Sequence, residues 1–102
     1  MSKIRITVVK CFSPEDVFGH GYKTPNGKEV KKCSFDEGQE WISENGEMPE
    51  GFCSWAWTDL ARSIHLLRFG GNFSTWAEEG VTYNSCSDGV RPVSFKLERI
   101  ED

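Results

Sequence analysis

Only one stretch of this chain repeats its apolar residues with a helical period, and it limits the fold more than any other feature. Trp57, Leu60, Ala61, Ile64 and Leu67 fall at i, i+3, i+4, i+7 and i+10, an apolar stripe along one helix face that has to be covered. Ser54 offers an N-cap, Gly70 and Gly71 end the helix, and Arg62, His65 and Arg68 lie toward its C-terminus, where positive charge suits the dipole. A helix is therefore expected over about residues 54–69.

The remaining apolar residues are spaced for strands. Ile4, Ile6 and Val8 alternate with Arg5, Thr7 and Val9, the period of a half-buried strand. A short strand is expected at 38–43, before the turn residues Asn45-Gly46 and Pro49-Glu50-Gly51, and two more at 81–86 and 93–100, paired across Asp88-Gly89. Ser13-Pro14-Glu15-Asp16 starts a helix that Gly19 and Gly21 hold to a turn or two. Residues 20–32 are polar and read as an exposed loop, with Asn26-Gly27 as an alternative hairpin tip. With no repeat or linker, residues 1–102 form a single α+β domain, a small mostly antiparallel sheet or roll packed on one principal helix. The first and last strands should pair in one sheet, with Trp57, Leu60, Ile64 and Leu67 buried against it.

Charge and length narrow the function. Twelve Lys and Arg against sixteen Asp and Glu give a net charge of −4, the wrong sign for a phosphate-backbone binder, so nucleic acid is not expected as a partner. Nor is a membrane: no apolar run approaches the roughly 18–20 residues of a span, and Ile4 to Val9 is interrupted by Arg5 and closed by Lys10. That stretch reads as neither anchor nor signal peptide, and a cytoplasmic location follows. A chain of 102 residues with four Trp, two Tyr and seven Phe can bury one core, and homo-oligomerisation is one way to complete it.

Four cysteines, Cys11, Cys33, Cys53 and Cys86, are widely separated without any C-x-x-C. Neither a secreted disulfide framework nor a local zinc or ferredoxin motif is indicated, so reduced thiols are expected, and any shared site must be assembled by the fold. Cys53 has the clearest rationale, because it precedes the expected helix, where free backbone N–H groups and the helix dipole stabilise a thiolate. The competing reading is a small buried hydrophobe beside Phe52 and Trp55. If Cys33, Cys53 and Cys86 each flank a core element, three thiols can meet at one rim of the sheet. With a fourth ligand from Cys11, His20, His65, a carboxylate or water, they would suit zinc or iron, or an iron–sulfur cluster.

Several longer stretches resemble a family of very short proteins common in anaerobic bacteria and archaea, with no established activity. They are Gly38-Gln39-Glu40-Trp41, Pro49-Glu50-Gly51-Phe52-Cys53-Ser54-Trp55-Ala56, Leu67-Arg68-Phe69-Gly70-Gly71-Asn72-Phe73, and Cys86-Ser87-Asp88-Gly89-Val90-Arg91-Pro92-Val93 with Phe95 to Ile100. The resemblance covers about the last two thirds of the chain and implies family cysteines at Cys33, Cys53 and Cys86, with Cys11 outside the pattern. Departures are Ser54 in place of proline, Thr75-Trp76 near a Pro-Trp pair, and Gly19-His20 ahead of Cys33 rather than after it.

Three functions remain open. The first is a cytosolic accessory or binding protein of anaerobic metabolism with a cysteine-centred metal or cluster site. The second is a small enzyme or ligand-binding domain in which Cys53 or His65 acts on a small molecule and Trp55, Trp76 and Arg68 bind it. The third is a structural or interaction module. Against the second, Trp41, Trp55, Trp57 and Trp76 can equally fill the core, and His65 can be a surface residue answering the helix dipole. Asp88 to Pro92 is explained mechanically, as a turn with Arg91 paired to a nearby acid.

Overall fold

The computed structural model describes residues 3–100, which contain β1 (Lys3–Cys11), α1 (Pro14–Phe18), β2 (Glu40–Ser43), α2 (Ser54–Arg68), β3 (Val81–Ser85) and β4 (Val93–Ile100). The four strands form one antiparallel sheet in the order β2-β1-β4-β3, with α2 packed on one face, a small α+β fold. The first and last strands are therefore hydrogen-bonded neighbours, as the alternating patterns imply.

Register explains which side chains meet α2. Ile6 lies opposite Leu97 and Trp41, Val8 opposite Phe95, and Thr82 opposite Leu97, so Ile4, Ile6, Val8, Val93, Phe95 and Leu97 share the covered face and are buried. A bulge between Val8 and Lys10 then switches the alternation. It leaves Val9 and Lys10 exposed and turns Cys11 into the core. The opposite face is solvated and carries Ile42 and Tyr83 beside charged side chains: Arg5 Nε lies 3.0 Å from Glu98 Oε1, and Lys96 Nζ lies 3.6 Å from Glu98 Oε2.

Helix α2 buries Ala56, Leu60, Ser63, Ile64 and Leu67. Its stripe is thus rotated slightly from the one expected, and Trp57 and Ala61 are half-buried at its margin. Each fully buried leucine or isoleucine contributes about 1.5–3 kcal/mol, which makes this face the main attachment of helix to sheet. Near its N-terminal end, Phe35, Trp41, Phe52 and Phe95 interlock, with ring centroids 4.9–5.8 Å apart and several edge-on.

Both ends of α2 are capped, though not at the start by Ser54. The N-cap is Cys53, and Ser54 is already the first helical residue. At the other end Gly70 has φ +90°, its N–H donating to Leu67 O at 3.0 Å and that of Gly71 to Leu66 O at 2.9 Å, the Schellman pattern. Arg99 on β4 adds hydrogen bonds to Leu67 O and Gly71 O, both 2.8 Å.

The polar region before β2 is more ordered than a plain loop. Ser13 caps α1 in a reciprocal capping box with Asp16. A small hairpin follows, bridged between Lys23 and Glu29, with Gly27 (φ +86°) donating to Thr24 O at 2.8 Å in its turn. The Asn26-Gly27 pair is therefore a hairpin tip. Among the described residues no helix is long and apolar enough to cross a membrane.

Candidate functional site at the start of helix α2

Three cysteines remote in sequence line a single cavity of about 90 Å³: Cys33, Cys53 and Cys86. Each is delivered by a different piece of the fold. Gly51, at φ +80°, completes the turn in which Phe52 N–H reaches Pro49 O, so that Phe52 enters the core and Cys53 caps the helix. The Cys53 sulfur accepts the Ala56 N–H at 3.5 Å, and Cys53 itself is exposed. Cys86 follows β3 and is held twice to Val93, its N–H donating to Val93 O at 3.0 Å and its sulfur accepting the Val93 N–H at 3.3 Å. Cys33 lies in the segment leading to Phe35, whose ring forms part of the wall. All four cysteines of the chain are free.

Neighbouring contacts fasten this rim. Trp55 lines the cavity while remaining 59% exposed, and its Nε1–H donates to Ser87 Oγ at 2.7 Å. The Ser87 N–H in turn donates to Asp59 Oδ2 at 2.7 Å. The turn after Cys86 is thereby tied to the first turns of α2. Asp88 Oδ1 accepts the N–H groups of Val90 and Arg91, and Arg91 Nη1 donates to Lys31 O at 3.1 Å.

The other sequence candidates lie elsewhere. Cys11 is buried, its thiol donating to Phe35 O at 3.2 Å and its N–H to Glu37 at 3.0 Å. Burial pushes that thiol's pKa up, and the charge of Glu37 pushes it further; Cys11 does not line the cavity of the other three cysteines. His20 donates from Nδ1 to Gly21 O, 2.7 Å away, and its ring stacks on Phe18. His65 sits about 18 Å along the helix axis from Cys53, at 1.5 Å per residue, against the turn that contains Gly46. Arg68 shares that position and covers the Phe69 ring at 4.4 Å. Trp76 is 81% exposed beside a different groove that it shares with Phe73 and Tyr83. The expected ligand-binding set of Trp55, Trp76 and Arg68 is therefore not assembled, and His65 does not share a site with Cys53.

The thiols as placed also fall short of a metal centre. Among the described residues no three His, Cys, Asp or Glu side chains form a group able to hold a metal ion. Soft sulfur donors in one cavity are the right chemistry for zinc or iron, but the arrangement lacks the closure that tetrahedral ligation requires. What it offers is a small, mostly apolar recess lined by three thiols. Residues that sequence reasoning did not assign to it are Phe35, Asp88 and Arg91. The usable signal was the stretch from Cys86 to Val93, where Asp88 and Arg91 read as turn mechanics alone. No family model, characterised protein or solved structure matches the chain.

Proposed function

We propose that this is a small binding protein with a cysteine-centred site, the recess bounded by Cys33, Cys53 and Cys86, which takes a small thiophilic ligand. The observation that carries this reading is the shared lining of one cavity by three cysteines drawn from separate parts of the sequence. Core packing alone is a weaker account, because Cys53 is exposed and caps a helix whereas Cys11 is sealed in the core. A role in anaerobic metabolism accords with the family resemblance and with thiols that must stay reduced to bind.

The experiment is stepwise alkylation of the reduced protein with the modified cysteines mapped by mass. If the three thiols serve one recess, occupying Cys53 should slow the modification of both Cys33 and Cys86 and leave Cys11 unaffected. Independent rates at all three would reject a common site. Metal content and the visible spectrum of anaerobically purified protein test a soft metal as the ligand: stoichiometric zinc or iron lost on Cys53→Ser would mean that binding draws the sulfurs together.

A second reading has its own observation. Leu66, Phe69, Trp76 and Tyr83 are all at least 40% exposed, and several of them border the groove between α2 and the edge strand β3, which favours an interaction module. Trp76→Ala would then abolish binding of a protein partner without altering thiol reactivity.

A further inference from the structure

We infer that the ligand of the cysteine site is a small disulfide bearing carboxylates, held across two adjoining cavities that share Arg91; this rests on the cysteine-centred reading above. The second cavity, about 580 Å³, lies between the 22–30 hairpin and the turn after Cys86, and Asp88 and Arg91 line both it and the thiol recess. Its cations are Lys28, Lys31 and Arg91, against the carboxylates of Glu29 and Asp88. In a chain of net charge −4, this is a local reversal of sign.

Asp88 is committed to the protein itself. One of its oxygens accepts two backbone N–H groups at 2.9 and 3.1 Å, and the other lies 3.5 Å from Arg91 Nε. Arg91 is braced from the hairpin side as well, by the Lys31 carbonyl. The Lys31 carbonyl takes one of the five guanidinium donors, and Nε faces Asp88 at ion-pair distance. An oriented guanidinium with donors to spare, standing between a thiol recess and a basic cavity, suits a carboxylate joined to a sulfur. A neutral thiophile would use only the recess, and an anion without sulfur only the larger cavity.

The chemistry balances without a metal or cofactor. The Cys53 thiolate attacks one sulfur of R–S–S–R, the protein–S–S–R bond forms as the old S–S bond breaks, and the electron pair leaves on RS⁻. The proton lost by the Cys53 thiol is regained from solvent by the departing thiolate. Cys53 is the entry point because it is exposed, whereas Cys33 and Cys86 are half-buried.

The test compares a dianionic disulfide, dithiobis-nitrobenzoate, with the neutral dithiodipyridine on reduced full-length protein, mapping the labelled cysteine by peptide mass. The quantity read is the ratio of the two rates at Cys53, folded over denatured, which cancels intrinsic reactivity. At low ionic strength folding should raise this ratio about tenfold, and salt should reduce it. Arg91→Gln should lower it severalfold. The double variant Lys28→Gln, Lys31→Gln should lower it too while keeping the backbone brace on Arg91, so a folding defect in the first variant does not decide the matter. A ratio no higher in the folded protein, with Cys53 still labelled first, overturns the anionic ligand and keeps the cysteine site. Labelling of Cys11 ahead of Cys53 by both reagents overturns the cysteine site itself.

Discussion

The guanidinium of Arg99, near the end of β4, donates from Nη1 to the carbonyl of Leu67 in the last turn of α2 at 2.8 Å. The same nitrogen reaches Gly71 O, and Nη2 reaches Asn72 Oδ1 at 2.9 Å. A strand side chain thus adds a donor to Leu67 O, which also accepts the Gly70 N–H, and ties the segment after the helix to the sheet. Arg99→Met should destabilise the fold by about 1.5–3 kcal/mol, since its charged hydrogen bonds vanish, although Leu67 O keeps the Gly70 N–H. Arg99→Lys should recover part of the loss, and urea unfolding midpoints measure both.

Gly70 and Gly71 should resist substitution for different reasons. At Gly70 an added Cβ meets nothing within 4 Å, but φ is +90°, so Gly70→Ala should cost about 1–2 kcal/mol of left-handed strain. At Gly71 the Cβ would lie 2.5 Å from Leu66 Cδ2 and 2.8 Å from Leu66 O. Gly71→Ala should cost about 1–3 kcal/mol through overpacking. Adding Leu66→Ala should offset part of the Gly71→Ala cost and none of the Gly70→Ala cost, which a double-mutant cycle reads directly.

Alkylation should reach Cys53 well before Cys11 near neutral pH. Cys11 is sealed in the core and its thiol pKa is raised by burial above the ordinary 9.0, so its thiolate fraction is small until alkaline pH. The same shift has a thermodynamic sign. The unfolded chain loses this proton at lower pH than the folded one, so the stabilisation is complete below pH 9.0 and is lost as pH rises through the folded value. Cys11→Ala should flatten the alkaline limb of stability against pH, which unfolding at several alkaline pH values checks.

The acid limb should depend on Glu98 and Asp16. Hydrogen bonding to Arg5 holds the Glu98 carboxyl below its ordinary 4.5, with Lys96 assisting and burial opposing. The Ser13 backbone N–H, then its hydroxyl, holds Asp16 below its ordinary 3.8. Both contributions are present above the ordinary values and are lost as pH falls through the folded ones. Glu98→Gln and Asp16→Asn should each reduce the fall in stability on acidification. The effect should shrink in salt, more for the exposed Asp16 than for the half-buried Glu98.

Local pattern determined what could be read in advance. Ile4, Ile6 and Val8 announce β1 because one face of an antiparallel sheet is buried, and Leu60, Ile64 and Leu67 announce α2 for the same reason. Cys53 was not legible as the cap, because Ser54 has the stronger capping preference; the Gly51 turn, which brings Cys53 rather than Ser54 to the helix start, depends on Phe52 being drawn into the aromatic cluster. The meeting of Cys33, Cys53 and Cys86 was legible only conditionally, from their places beside core elements. Arg91 and Phe35 at the same recess depend on how the 20–39 segment folds back over the sheet, a non-local matter without a sequence period. Trp76 and Arg68 share no site with Trp55 because helix length, not residue type, separates the two ends of α2.

The strand order β2-β1-β4-β3 carries a consequence for how this protein is made. β4 follows β1, β2 and β3 in sequence, yet it lies between β1 and β3 and supplies Val93, Phe95 and Leu97 to the centre of the core. During translation β1 has its long partner missing, and α2 has only part of the surface it is built to cover. The core that α2 covers is therefore complete only when β4 is in place between β1 and β3, which favours closure of the sheet in one cooperative step. The recess lined by Cys33, Cys53 and Cys86 is completed in the same step, because Cys86 is held to Val93 at the start of β4.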